Sequence, residues 1–179
     1  MRFSTIGLIK AMLMTLFLLL MLEIFSSTFL PMIGLSGIRL SFNVLIILYL
    51  VLRVPITPVP FCILLIQMLH SLFSIEGWAL GTIAGVAILM FMNYLKDLIH
   101  FSSGLTTMIT IQVTQLVWFV IMGLMLSLKL GDFTGIFDML IRFLPQSIVI
   151  SIISPFMFNL LDFIWSSIKP GNSDSLGGV

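Results

Sequence analysis

The chain is poor in everything a water-soluble surface needs. It has eight Lys and Arg, seven Asp and Glu and two His among 179 residues, with a formal net charge of +1. Fifteen charged side chains cannot cover a soluble globule of this size with polar surface. The basic residues are scattered, which excludes the charged stripe that nucleic-acid binding requires. One cysteine, Cys62, excludes an intramolecular disulfide and cysteine-rich metal ligation. What is present is apolar: 60% hydrophobic residues and a mean hydropathy of +1.25. The chain therefore reads as an integral membrane protein, all-α and polytopic. A spanning helix takes about 20 mostly apolar residues, which leaves room for six spans with short connections and none for a soluble catalytic domain.

Apolar runs separated by breakers place the spans. The first covers 11–30, closed by Pro31 and Gly34; it is longer than a signal-peptide core and contains Glu23, so it is expected to remain as a span. The second covers 40–54 and ends in Arg53 and the cluster Pro55, Pro58 and Pro60. The others are expected at 59–75, 77–95, 105–128 and 144–168. Between the last two, Phe133, Ile136, Phe137, Leu140 and Ile141 recur at helical spacing opposite Asp132, Asp138 and Arg142, which predicts an interfacial helix over 132–143. The segment 170–179 is Gly, Ser, Asn and Asp, a composition expected to be disordered. An even number of spans puts both ends on one side. With the N-terminus inside, Arg2, Lys10, Arg53, Lys96 and Lys169 are cytoplasmic against Arg39, Lys129 and Arg142 outside, so the charge bias favours N-in and C-in.

Few polar side chains enter the spans, and each has a chemical and a structural reading. Glu23 sits within its run, where an ionised carboxylate costs about 3 kcal/mol. It is either a member of a proton relay or, if the helix starts nearer Thr5, a residue close to the outer interface beside Ser26 and Ser27. His70 follows Gln67 in span three; with His100 in a separate loop, hydrogen bonding to a neighbouring helix fits better than metal ligation. Gly77, Gly81 and Gly85 place three glycines on one face of span four, suited either to a partner's helix or to close packing within the chain. Thr107, Thr110 and Thr114 with Gln112 and Gln115 in span five, and Ser147, Ser151, Ser154 and Asp162 in span six, form polar seams. Such seams either join helices or line a small cavity. No Ser, His and Asp set, glycine-rich phosphate loop or facing acid pair emerges, so neither catalysis nor a cofactor is expected.

The order of these features resembles the MreD family, the small multispanning component of the bacterial rod-shape machinery (elongasome). The resemblance extends over most of the chain. Gly37-Ile38-Arg39-Leu40-Ser41-Phe42-Asn43 followed by Val44 to Arg53 resembles the family's entry into its second span, with Ser41 and Phe42 where a proline is often found. Leu69-His70-Ser71-Leu72-Phe73-Ser74 through Gly77 to Gly85 resembles its hairpin, although His70 or a neighbour stands where the family usually has an aspartate. The best match is Phe143-Leu144-Pro145-Gln146-Ser147 leading through Ser154-Pro155 to Asn159-Leu160-Leu161-Asp162.

The resemblance implies a non-catalytic scaffold of the bacterial inner membrane that binds a bitopic MreC-like protein. Through it the chain would influence the glycosyltransferase and transpeptidase of peptidoglycan synthesis, and so cell shape. It also implies a six-helix bundle like that of the substrate-binding S-components of energy-coupling-factor vitamin transporters, which supplies the alternative function. Those subunits often dock through an alanine-rich stripe on span one, where this chain has only Ala11 among Leu, Met and Phe.

Overall fold

The computed structural model describes residues 5–32, 34, 40–74, 77–95, 104–131 and 136–166, and the described part is helices joined by short non-helical stretches, without strands. The elements are α1 (Thr5–Ile24), a π turn (Phe25–Phe29), the three-residue α2 (Leu30–Met32), α3 (Phe42–Arg53), α4 (Val59–Ser71), α5 (Trp78–Leu95), α6 (Gly104–Leu130) and α7 (Ile136–Ser166). The first three run on as one rod, so the bundle has six helical columns.

Four of these are long and apolar enough to cross a membrane: Ile6–Met32, Trp78–Leu95, Gly104–Lys129 and Met139–Ser166. The expectation of six full spans is corrected for the other two. At 12 and 13 residues, α3 and α4 extend only about 18 to 20 Å along their axes, short of the roughly 30 Å hydrocarbon thickness. The proline cluster sets this limit. Pro55 drives Val54 into an extended conformation (φ −105°, ψ 146°) and stops α3. Pro58 caps α4, and Pro60 occupies its first turn, where a missing N–H costs nothing.

The second correction concerns the stretch expected as an interfacial helix over 132–143. Residues 132–135 lie outside the described residues, and from Ile136 the chain forms one 31-residue helix through the sixth span. No glycine separates 136 from 144, and although an interior proline removes a donor and crowds the carbonyl one turn back, α7 continues through both Pro145 and Pro155. The expectations for Glu76, Lys96, Asp97, His100 and the segment 170–179 also fall outside the described residues.

A short α3 is tolerated because it is the axis of the bundle. It packs against α1, α4, α5, α6 and α7, and Phe42 through Val51 are all buried. A helix apolar on every side is stable only when surrounded. The perimeter is built the opposite way: Phe17, Ile83, Met90, Val120 and Phe156 all point outward, as a lipid-facing surface requires. Several polar side chains, among them Glu23, Gln67, His70, Thr114 and Ser151, are buried inside the bundle, away from lipid.

Candidate functional site

The ends of α1, α4 and α6 and the starts of α3, α5 and α7 meet at one end of the bundle, around a cavity of about 240 Å³. The start of α3 contributes Leu40, Ser41 and Asn43, and the end of α4 brings His70, with Ser74 just beyond it. Leu80 comes from α5, and α6 adds Trp118, Phe119, Met122, Gly123 and Leu126. Met139, Phe143 and Gln146 of α7 complete the wall. Phe119 and Phe143 stack with ring centroids 4.7 Å apart.

Behind His70 lies the acid that the sequence left with two readings. The helix starts at Thr5, yet Glu23 is buried, and its Oε1 lies 2.6 Å from His70 Nδ1. This is a charge-assisted distance, and it ties α1 to α4. Glu23 Oε2 has no partner. Just beyond, the π turn inserts one residue per turn more than an α-helix would. Ser26 faces inward there, and its Oγ accepts the backbone N–H of Leu40 at 3.0 Å. Leu40, at the entry to α3, is thereby held against the π turn. Asn43, one turn further, is 1% exposed and its Oδ1 has no hydrogen-bond partner. Gln67, one turn before His70, is buried with Nε2 unpaired.

The glycine stripe is occupied within the chain. A Cβ on Gly81 would meet the Gln67 side chain, with Cδ at 2.8 Å, and one on Gly85 would lie 2.5 Å from Ile63 Cγ2. Both glycines therefore serve the α4–α5 contact and are not open to a partner. Gly77 is not part of that contact: its φ of +80° makes the turn into α5, and nothing lies within 4 Å of its Cβ direction.

The other polar candidates fall outside the cavity lining; some join helices and others bond within their own helix. Gln112 of α6 donates through Nε2 to Ser147 Oγ at 2.9 Å and accepts from Ser151 Oγ through Oε1 at 2.7 Å, a two-bond clasp onto α7. Thr114 donates to the carbonyl of Thr110 at 2.7 Å, and Ser154 to that of Ser151. Thr110 is buried, and Gln115 is buried with Nε2 unpaired. Asp162 belongs to the opposite end of the bundle, where it accepts from Tyr49 Oη at 3.0 Å and lies 3.5 Å from Arg53. Among the described residues no group of three or more His, Cys, Asp and Glu is placed to hold a metal.

Asn43, Trp118, Gly123 and the Tyr49 to Asp162 bond did not stand out in the sequence. For Asn43 and Gly123 a signal existed: one amide and one glycine interrupting apolar runs, with no turn to explain either. For Trp118 nothing distinguishes a cavity wall from a lipid-facing ring until the helices are packed.

Against known proteins, no family model, no curated protein and no solved structure matches this chain.

Proposed function

We propose that this protein is a non-catalytic scaffold of the bacterial inner membrane, of the MreD kind. On this reading it binds a bitopic MreC-like partner and through it regulates the glycosyltransferase and transpeptidase of peptidoglycan synthesis in the elongasome. The observation that carries this reading is the adjacency of the two stretches with the strongest resemblance. Residues 37–53 and 143–162 are far apart in sequence, yet Tyr49 and Arg53 both engage Asp162, and Tyr49 packs edge-on against Phe158 with centroids 5.4 Å apart. The motif pair thus belongs to one structural unit.

α3 and α4 are joined by a short turn at 54–58, and on this reading partner recognition falls mainly to helix faces within the bilayer. The N-in and C-in orientation belongs to the same proposal and puts the cavity on the outer side. External labelling of a cysteine introduced near either end would overturn that orientation.

The transporter alternative gains little support from α1. Ala11 is buried, and the outward side carries Leu13, Met14, Phe17 and Met21, which with Leu18 and Ile164 line a bulky apolar groove. Small-residue docking would need the reverse arrangement. Detergent pull-down of the full chain from its native cells, followed by mass spectrometry, tests the proposal. A bitopic coiled-coil protein together with cell-wall synthases is the expected outcome. Recovery of an ATPase module and a small coupling membrane protein, with no MreC-like chain, overturns it in favour of a vitamin-binding subunit.

A further inference from the structure

We propose that the groove between α1 and α7 holds one acyl chain of a membrane phospholipid whose anionic headgroup pairs with Lys10. The site lies on the lipid-facing side of the bundle, apart from the cavity, and does not rest on the scaffold reading.

The groove, of about 370 Å³, is lined by Leu13, Met14, Phe17, Leu18 and Met21 of α1 and by Ile164 of α7. Leu18 is half-buried and Ile164 buried, so they form its floor, whereas Leu13 and Phe17, each 62% exposed, stand up as walls. Every lining side chain is apolar, so water has no polar partner there. An empty space would forfeit dispersion contact along the whole lining, and hydrocarbon therefore fills it. From Leu13 to Met21 the helix rises about 12 Å, most of the roughly 15 Å depth of one leaflet. The groove thus has the length of a lipid chain lying beside α1. A second transmembrane helix, about 10 to 12 Å across, fits less well. Close approach of two helices in lipid needs small residues, and Leu13, Met14, Phe17 and Met21 hold a backbone off. Methionine is unbranched and flexible, so Met14 and Met21 are suited to mould around a chain of no fixed conformation.

The charge at the mouth of the groove selects the headgroup. Lys10 is exposed and precedes Leu13 and Met14 by three and four residues, so it shares their face, one turn nearer the start of α1. Helical side chains lean toward the N-terminus, and a lysine stem lies along apolar surface while its ammonium reaches the interface. Among the described residues no carboxylate pairs with Lys10. Asp162, two residues before Ile164, is held by Tyr49 and Arg53. A chain seated in the groove brings its own phosphate to that ammonium, and a headgroup with no compensating cation is favoured.

The test is native mass spectrometry of the full chain released from nanodiscs of equal parts dioleoylphosphatidylglycerol and dioleoylphosphatidylcholine. The chain should retain one phospholipid. The phosphatidylglycerol adduct should exceed the phosphatidylcholine adduct about fivefold, equivalent to about 1 kcal/mol for one lysine beside an anionic headgroup. Lys10→Gln should bring that ratio close to one without lowering the total lipid retained. Lys129→Gln, exposed in the last turn of α6, should leave it unchanged. Ile164→Trp, which fills the floor, should remove both adducts; if it does not fold, Leu18→Phe should reduce both. Glycerophosphoglycerol, the same headgroup without chains, should give no adduct. The proposal is overturned if no lipid is retained, if the two lysine variants respond equally, or if filling the floor leaves retention unchanged. It is equally overturned if the chain-free headgroup binds, or if a dimer of the chain appears in place of the lipid adduct.

Discussion

His70 Nδ1 lies 2.6 Å from Glu23 Oε1, joining α4 to α1 across 47 residues of sequence. The pair sits where the rod of α1 passes into its π turn, directly behind the cavity wall. It resolves the cost of an acid in an apolar helix, since the carboxylate faces a hydrogen-bonding ring and not lipid.

Removing one partner should therefore be worse than removing both. His70→Leu leaves Glu23 buried with neither oxygen paired and should cost about 3 to 5 kcal/mol, whereas the double variant Glu23→Leu/His70→Leu should regain most of that loss. Unfolding in mixed detergent, run as a double-mutant cycle, gives the coupling directly. Additive losses would mean that the two side chains act independently.

The glycines should divide by what surrounds them. Gly81→Ala pushes a methyl into the Gln67 side chain and should destabilise by about 1 to 3 kcal/mol. Shortening the neighbour in Gly81→Ala/Gln67→Ala should recover part of this. Gly123→Ala, facing open space, should raise the melting temperature through helix propensity. Thermal unfolding of the three variants is the measurement, and an equal response at positions 81 and 123 would contradict the packing described.

Gln112 makes both hydrogen bonds of the α6–α7 clasp. Interhelical bonds in lipid are worth about 0.6 to 2 kcal/mol each, so Gln112→Leu should cost about 1 to 3 kcal/mol. Thr114→Val serves as comparison: its hydroxyl bonds to its own helix at Thr110 and touches Met92 Sδ at 3.8 Å, and its loss should cost under about 1 kcal/mol. Similar losses in both variants would show that the clasp adds nothing beyond side-chain packing.

At the other end, Arg53 and Asp162 are each about half exposed, at 52% and 44%, and such a pair is worth no more than about 1 kcal/mol and is screened by salt. The stability lost in Arg53→Met should accordingly shrink between 50 mM and 500 mM salt. Tyr49→Phe removes a bond between a buried ring and Asp162, and its loss should be nearly independent of salt. A shared salt dependence would place Tyr49 Oη in the same screened environment.

An all-helical membrane chain of several apolar helices was legible in the residues themselves. Hydropathy and proline chemistry act over a few residues, so the apolar run before Pro55 already marks a helix and its end, but its place at the axis of the bundle was decided only by packing. The 132–143 stretch shows where local reading fails. Its amphipathic spacing fits an interfacial helix, but the same helical period continues through the span behind it, and only the backbone shows that no break intervenes. The hairpin glycines likewise advertised close packing without saying against what. That surface proved to be α4, because Gln67 and Ile63 happen to face them. Whether Glu23 meets His70, whether Asn43 is left without a donor, and whether Gly123 opens on a cavity all depend on the rotation and height at which separate helices settle against α3. Those choices are made by packing between segments distant in sequence, and they have no local periodicity to announce them.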